Sequence, residues 1–156
     1  MPLPVPKWEC GKIVLVGMPG AGKTAGGSVL AERLGWRFVD VDALIEKEAG
    51  MDVAGIFASP EFGEPGFRRL ERGAIARIID DQAPAVIATG GGAVEDGGTR
   101  QLLASSDALV VWLSADLEVL LARVGEGKSR PLLSSDPTGN LASLLRMREK
   151  MYEEEK

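Results

Sequence analysis

The residues best equipped for chemistry are the contiguous run Gly17-Met18-Pro19-Gly20-Ala21-Gly22-Lys23-Thr24. Glycine at its first and sixth places lets the backbone curl until successive N–H groups face inward as an anion nest. Lys23 supplies a mobile cation for β- and γ-phosphates, and the Thr24 hydroxyl can ligate Mg²⁺. The start of the helix that follows would add the positive end of its dipole. A chance glycine turn would match the spacing but not the flanks. Here the apolar run Ile13-Val14-Leu15-Val16 precedes the loop, and the helical pattern Ser28–Leu34 follows it. Strand, turn and helix in that order predict a nucleoside-triphosphate site formed by Gly17, Gly20, Ala21, Gly22, Lys23, Thr24 and Ala25.

Two further groups could complete a reaction chamber. Asp40 and Asp42 stand two apart at the end of a short apolar run, so both face one side if the backbone stays extended. One can hold Mg²⁺ through water and the other can accept a hydrogen bond from a substrate hydroxyl. Asp40 is the better metal candidate, because Thr89-Gly90 stands where a metal-side Asp usually follows the third strand. The plainer alternative makes Asp42 a cap for a helix starting at Ala43, with Asp40 solvated. Gly90-Gly91-Gly92 follows another apolar run, and three glycines there suggest a ligand pressed against the backbone. Arg68 and Glu71 have helical spacing and could simply pair on a surface. Taken singly, Arg68, Arg123, Arg130 and Arg148 read as surface charge, although a guanidinium is the natural partner of a carboxylate or a transferring phosphoryl group.

The elements that must position these groups alternate. Strands are expected at Lys12–Val16, Arg37–Val39, Ala85–Ala88 and Ala108–Leu113. Helices are expected after Thr24, after Asp42, from Asp52 through Phe57, over Phe67–Ile79, near Arg100–Ala104, over Asp116–Val124 and over Leu141–Tyr152. The segment Ser59–Gly66 reads as loop. Residues 125–138 form a polar, glycine-punctuated stretch of a kind often used as a lid. Such alternation predicts an α/β fold, three layers α/β/α around a central parallel sheet, with ligands beyond the carboxyl ends of the strands. The phosphate loop, Asp40/Asp42 and the glycine triplet all fall at that end. Within the loop's helix, Ala25-Gly26-Gly27 is a weak start, since glycine in a helix interior costs about 1 kcal/mol relative to alanine.

A chain of 156 residues fits one domain, expected over 11–156 behind an extended proline-rich tail at 1–10. Its net charge of −5 gives nucleic-acid binding no electrostatic support. The single cysteine, Cys10, cannot form an internal disulfide. No apolar run is long enough for a membrane span, so a cytoplasmic protein without membrane partner is expected, acting as a monomer on a small molecule.

Together these pieces resemble the shikimate kinases of the nucleoside-monophosphate-kinase-like P-loop group. The resemblance runs from about Lys12 to Tyr152. It is carried by Gly17–Thr24, Asp40-Val41-Asp42, Phe67-Arg68 with Glu71, Thr89-Gly90-Gly91-Gly92, Arg130-Pro131-Leu132-Leu133, and Arg148 with Tyr152. It implies transfer of the γ-phosphoryl group of MgATP to the 3-hydroxyl of shikimate. It further implies that Asp42 orients or deprotonates the attacking hydroxyl, and that Arg68 and Arg148 hold the carboxylate. The Gly90–Gly92 turn would contact the ring. Lys23 and the lid residue Arg130 would act on the phosphates, Arg123 would lie near the adenine, and Thr24 with Asp40 would serve Mg²⁺. Relative to that family the fold is short at its C-terminus. Two alternatives remain at this stage: a related small-molecule kinase with another polyol or acid acceptor, gluconate-like for example, with the pair Arg68 and Arg148 as discriminator because a neutral acceptor would not need it, and a kinase-like sensing module that binds without turnover.

Overall fold

The computed structural model describes residues 11–18 and 20–114. Four parallel strands form the sheet: β1 (Lys12–Val16), β2 (Arg37–Asp40), β3 (Ala85–Ala88) and β4 (Leu109–Trp112), in the order β2-β3-β1-β4. Every residue of β1 and β3 is buried, as their unbroken apolar runs require of central strands covered on both faces. The flanking strands β2 and β4 are only partly covered. Pairing is in register from Lys12 opposite Ala85 to Leu15 opposite Ala88, and Asp40 also stands opposite Ala88. The carboxyl ends of β1, β2 and β3 therefore lie side by side.

Strand alternation sorts the core into two clusters. Ile13, Leu15 and Val86 face helix α1 (Lys23–Leu34) through Ala31 and Leu34. Val14, Val16, Ala85 and Ile87 face the opposite layer. That layer contains α2 (Val41–Ala49), α3 (Val53–Ala58), α4 (Gly63–Asp80) and α5 (Gly97–Ser105). The predicted three-layer α/β/α arrangement is the one observed.

Local chemistry sets the helix ends. Asp52 accepts from the Gly55 N–H at 2.7 Å and Asp96 from the Thr99 N–H at 2.9 Å, each as a cap. Gly35 and Gly50 end α1 and α2 in left-handed conformation, φ 69° and 71°.

Three expectations need correction. Helix α4 starts at Gly63, inside the segment read as loop; Pro65 falls in its first turn, where a missing N–H is harmless. Helix α2 starts at Val41, so Asp42 is not on extended chain but in the first helical turn. The cap of that helix is Asp40, accepting from the Ala43 N–H at 3.2 Å, and not Asp42. A 3-10 turn over Ala93–Glu95, unforeseen from sequence, links the glycine triplet to α5. The predicted helices at 116–124 and 141–152, the lid at 125–138 and the tail at 1–10 lie outside the described residues.

Candidate active site

The loop between β1 and α1 is shaped by three glycines with distinct reasons. A Cβ on Gly17 would sit 2.5 Å from the Leu113 carbonyl oxygen, where the chain leaves β4. Gly20 and Gly22 have φ of 86° and 100°, a region side chains disfavour. Gly22 caps α1 without any side-chain hydrogen bond, so no capping side chain stands between the helix N-terminus and an anion. Lys23 is buried and folds back onto its own loop, donating to the Gly17 and Met18 carbonyls at 2.6 and 3.0 Å. These bonds hold the ammonium beside the nest.

The loop forms one wall of a cleft of about 360 Å³. Gly20, Gly22, Lys23, Thr24 and Ala25 line one side; Asp40, Asp42, Ala43 and Glu46 line a second; Thr89, Gly90 and Gly91 complete it. Thr24 Oγ1 donates to Asp40 Oδ2 at 3.0 Å. This pairs the two candidate metal groups across the gap between α1 and β2. Thr89 donates its hydroxyl to the Leu15 carbonyl at 2.8 Å, fixing the end of β3 against β1. Glu46 accepts from the Val53 N–H at 3.1 Å and so ties α2 to α3. Gly17 and Ala21 support the loop without lining the cleft, and Gly92 is buried at the start of the 3-10 turn.

Asp42 presents its carboxylate to this cleft, and its Oδ1 is buried without a hydrogen-bond partner among the described residues. Burial, then the adjacent Asp40, raise its pKa above the ordinary carboxylate value, while Lys23 and Arg68 pull it back. Asp42 is thus held as a better proton acceptor than a solvated carboxylate, within electrostatic reach of both cations.

Arg68 does not line the cleft; Glu71 links it to the wall. The pair is not on the surface, for Arg68 is 9% exposed and Glu71 0%. Arg68 Nη1 donates to Glu71 Oε1 at 3.0 Å. Its Nη2 stands 3.5 Å from Glu64 and 3.6 Å from Glu95. The guanidinium carbon lies 5.4 Å from the Phe67 ring centroid and 5.9 Å from that of Phe57. Burial works against the charge of Arg68, but Glu71, Glu64 and Glu95 together outweigh it, so its pKa is raised. For Glu71, burial pushes the carboxyl up to about 7, against the pull of Arg68 and with Asp42 and Asp96 adding to the rise.

Gly90 connects these groups. A Cβ there would fall 2.8 Å from Glu71 Oε2 and 2.9 Å from Asp42 Oδ1, both buried oxygens without a hydrogen-bond partner among the described residues. The glycine is required by carboxylates closing from two helices, a reason the sequence did not offer beside the expected approach of a ligand. Sequence reasoning missed Glu71, Glu95 and Glu46 as part of the site. The signal for Glu71 was present: it falls on the buried stripe Phe67, Ala74, Ile75 and Ile78 of α4, where a charged residue is out of pattern. Arg123, Arg130 and Arg148 lie outside the described residues.

A parallel α/β sheet with a glycine-lysine phosphate nest facing a carboxylate at neighbouring strand tips defines a P-loop kinase of small molecules. A family model described as shikimate kinase matches residues 19–156. The chain belongs to the shikimate kinase family. It is 46% identical over 142 residues to the shikimate kinase of Moorella thermoacetica, covering 91% of this chain and 80% of that one. With the shikimate kinase of Symbiobacterium thermophilum identity is 50% over 145 residues, covering 90% and 80%. Among solved structures, the shikimate kinase from Acinetobacter baumannii in complex with shikimate superposes with a TM-score of 0.87 at 38% identity, covering 94% of this chain and 80% of that one.

Proposed function

We propose that this chain transfers the γ-phosphoryl group of ATP to the 3-hydroxyl of shikimate. The carrying observation is that one cleft joins Lys23 and the α1 N-terminus to Asp42 and the Gly90-Gly91 backbone. Lys23 and the loop N–H groups hold the phosphates and stabilise charge gathering on the transferred group. The Asp42 carboxylate accepts the hydrogen bond, then the proton, of the attacking hydroxyl; its raised pKa suits that task. The transition state is loose, so orientation by Asp42 contributes more than its basicity. Arg68 meets the acceptor's carboxylate, with Gly90 and Gly91 leaving room for the ring. In this reading Arg148 joins Arg68 in the clamp, Arg130 reaches the phosphates and Arg123 the adenine.

Thr24 and Asp40 fit Mg²⁺. Both offer hard oxygen donors, and their 3.0 Å hydrogen bond places them together on the phosphate side of the cleft. Among the described residues no group of three or more His, Cys, Asp or Glu side chains could hold a metal ion. When bound, Mg²⁺ would neutralise charge on the phosphate oxygens. No described helix is long and apolar enough to cross a membrane, and the net charge is −5. The reading includes a cytoplasmic monomer without nucleic-acid or membrane partner.

The test is coupled ADP release with shikimate, quinate and gluconate offered separately. Shikimate-dependent turnover is the expected result. Turnover with gluconate alone would replace the acceptor, and calorimetric binding of shikimate without ADP release would remove the catalytic reading.

A further inference from the structure

Arg68 is surrounded by more negative charge than it needs. Its Nη1 edge belongs to Glu71, which is wholly buried and hydrogen-bonded at 3.0 Å, and is therefore a fixed partner. The Nη2 edge is shared by Glu64 at 3.5 Å and Glu95 at 3.6 Å, longer than a good charge-assisted hydrogen bond. These two contacts are the exchangeable ones. The Glu64 side chain is 47% exposed in the first turn of α4, where water screens it, whereas Glu95 is 19% exposed.

The backbone also fixes Glu95 more firmly. Its N–H donates to the Gly92 carbonyl at 3.0 Å, closing the 3-10 turn that follows the cleft-lining Gly90-Gly91. The next residue, Asp96, accepts from Arg72 at 2.9 Å while capping α5. Arg72 in turn packs so closely on Gly98 that a Cβ there would meet its Nη1 at 2.6 Å. Glu95 thus reaches Arg68 from a braced turn at the edge of the cleft.

We propose that Glu95 is a specificity-determining residue that holds the Nη2 edge of Arg68 in place of an acceptor carboxylate, and so sets acceptor affinity by competition. This rests on the reading of Arg68 as the acceptor's carboxylate partner. A fourth carboxylate can take the Nη2 edge only by displacing Glu64 or Glu95 or by enduring their repulsion, and of the two Glu95 is the less screened. Glu95 therefore weakens binding of anionic acceptors and leaves neutral ones unaffected.

The test compares Glu95→Gln with wild type at saturating MgATP, using shikimate and its methyl ester as acceptors. The KM for shikimate should fall by roughly fivefold with kcat unchanged, while the KM for the ester stays put. Glu64→Gln should move the shikimate KM less. An unchanged or raised shikimate KM in Glu95→Gln overturns the competition, as does an equal fall for both acceptors, which a merely structural change would give. The reading of Arg68 is tested separately by wild type. If it does not discriminate shikimate from the ester, carboxylate recognition by Arg68 fails, and the role of Glu95 fails with it.

Discussion

The two sides of the cleft are built by opposite means. The phosphate side is one contiguous stretch, Gly17–Thr24, and works largely through backbone: left-handed glycines, a helix N-terminus without a side-chain cap and a lysine folded onto its own loop. The acceptor side is gathered from α2, α4 and the turns after β3, and works through buried side-chain charge: Asp42, Arg68, Glu71 and Glu95. A local backbone device is sensitive at its own positions and nearly independent of its surroundings. A side-chain assembly held by mutual charge passes a change at one member to the others.

Lys23→Ala is the largest test of the phosphate side. It removes the cation at the nest and should lower kcat by roughly 10³-fold, with the shikimate Kd from calorimetry nearly unchanged. A large loss of shikimate binding in this variant would show that the two sides are not separable.

The corresponding test of the acceptor side is a pH dependence. Burial raises the Glu71 pKa from 4.5 to about 7 in the folded chain. The folded state therefore binds this proton more tightly than the unfolded state. Its contribution to stability is fully present below pH about 4.5 and is lost as pH rises through about 7, a change on the order of 3 kcal/mol. Glu71→Gln keeps a neutral side chain at every pH. Subtracting its urea-unfolding stability from that of wild type should reveal this slope between pH 4.5 and 7. Parallel curves for the two proteins would mean that Arg68 keeps Glu71 charged throughout.

Gly90→Ala follows in size and separates the sides most directly. The new Cβ would crowd Asp42 and Glu71 at 2.9 and 2.8 Å, and no atom of the phosphate loop is among its nearest neighbours. The shikimate KM should rise by about tenfold, near the 1.4 kcal/mol that a forced side-chain shift costs, with the KM for ATP unchanged. Equal rises in both would refute the separation.

This contrast also decides what could be read from sequence. The phosphate loop was legible because its residues are consecutive and its flanks fix its context. The strands β1 and β3 were legible because buried parallel strands read as unbroken apolar runs. Asp42 was correctly drawn to the cleft but by the wrong geometry. Extended chain was assumed through 40–42, whereas Asp40 caps a helix that starts at Val41. The Arg68–Glu71 pair was found by its spacing yet read as possible surface charge, because burial of α4 depends on α2, α3 and the turn after β3. Glu95 had no local signal at all: it becomes part of the site only when the 3-10 turn brings it to a helix 27 positions earlier in the chain.

The smallest test returns to the glycines that weaken the start of α1. Sequence alone treats Gly26 and Gly27 alike, each costing about 1 kcal/mol relative to alanine. The fold separates them. A Cβ on Gly26 meets nothing within 4 Å, whereas one on Gly27 would lie 2.7 Å from the Phe38 ring and 2.9 Å from Leu15 Cδ1. Gly26→Ala should therefore raise Tm by about 2–4 °C, because the helix gains a better former at no packing cost. Gly27→Ala should lower it, because α1 lies directly on β1 and β2 and the core is too dense to yield. Gly27 is thus the contact that seats the phosphate loop's helix on the sheet. A Gly27→Ala variant as stable as wild type would show that α1 can lift from the sheet, and the phosphate side would then lose its claim to be rigid.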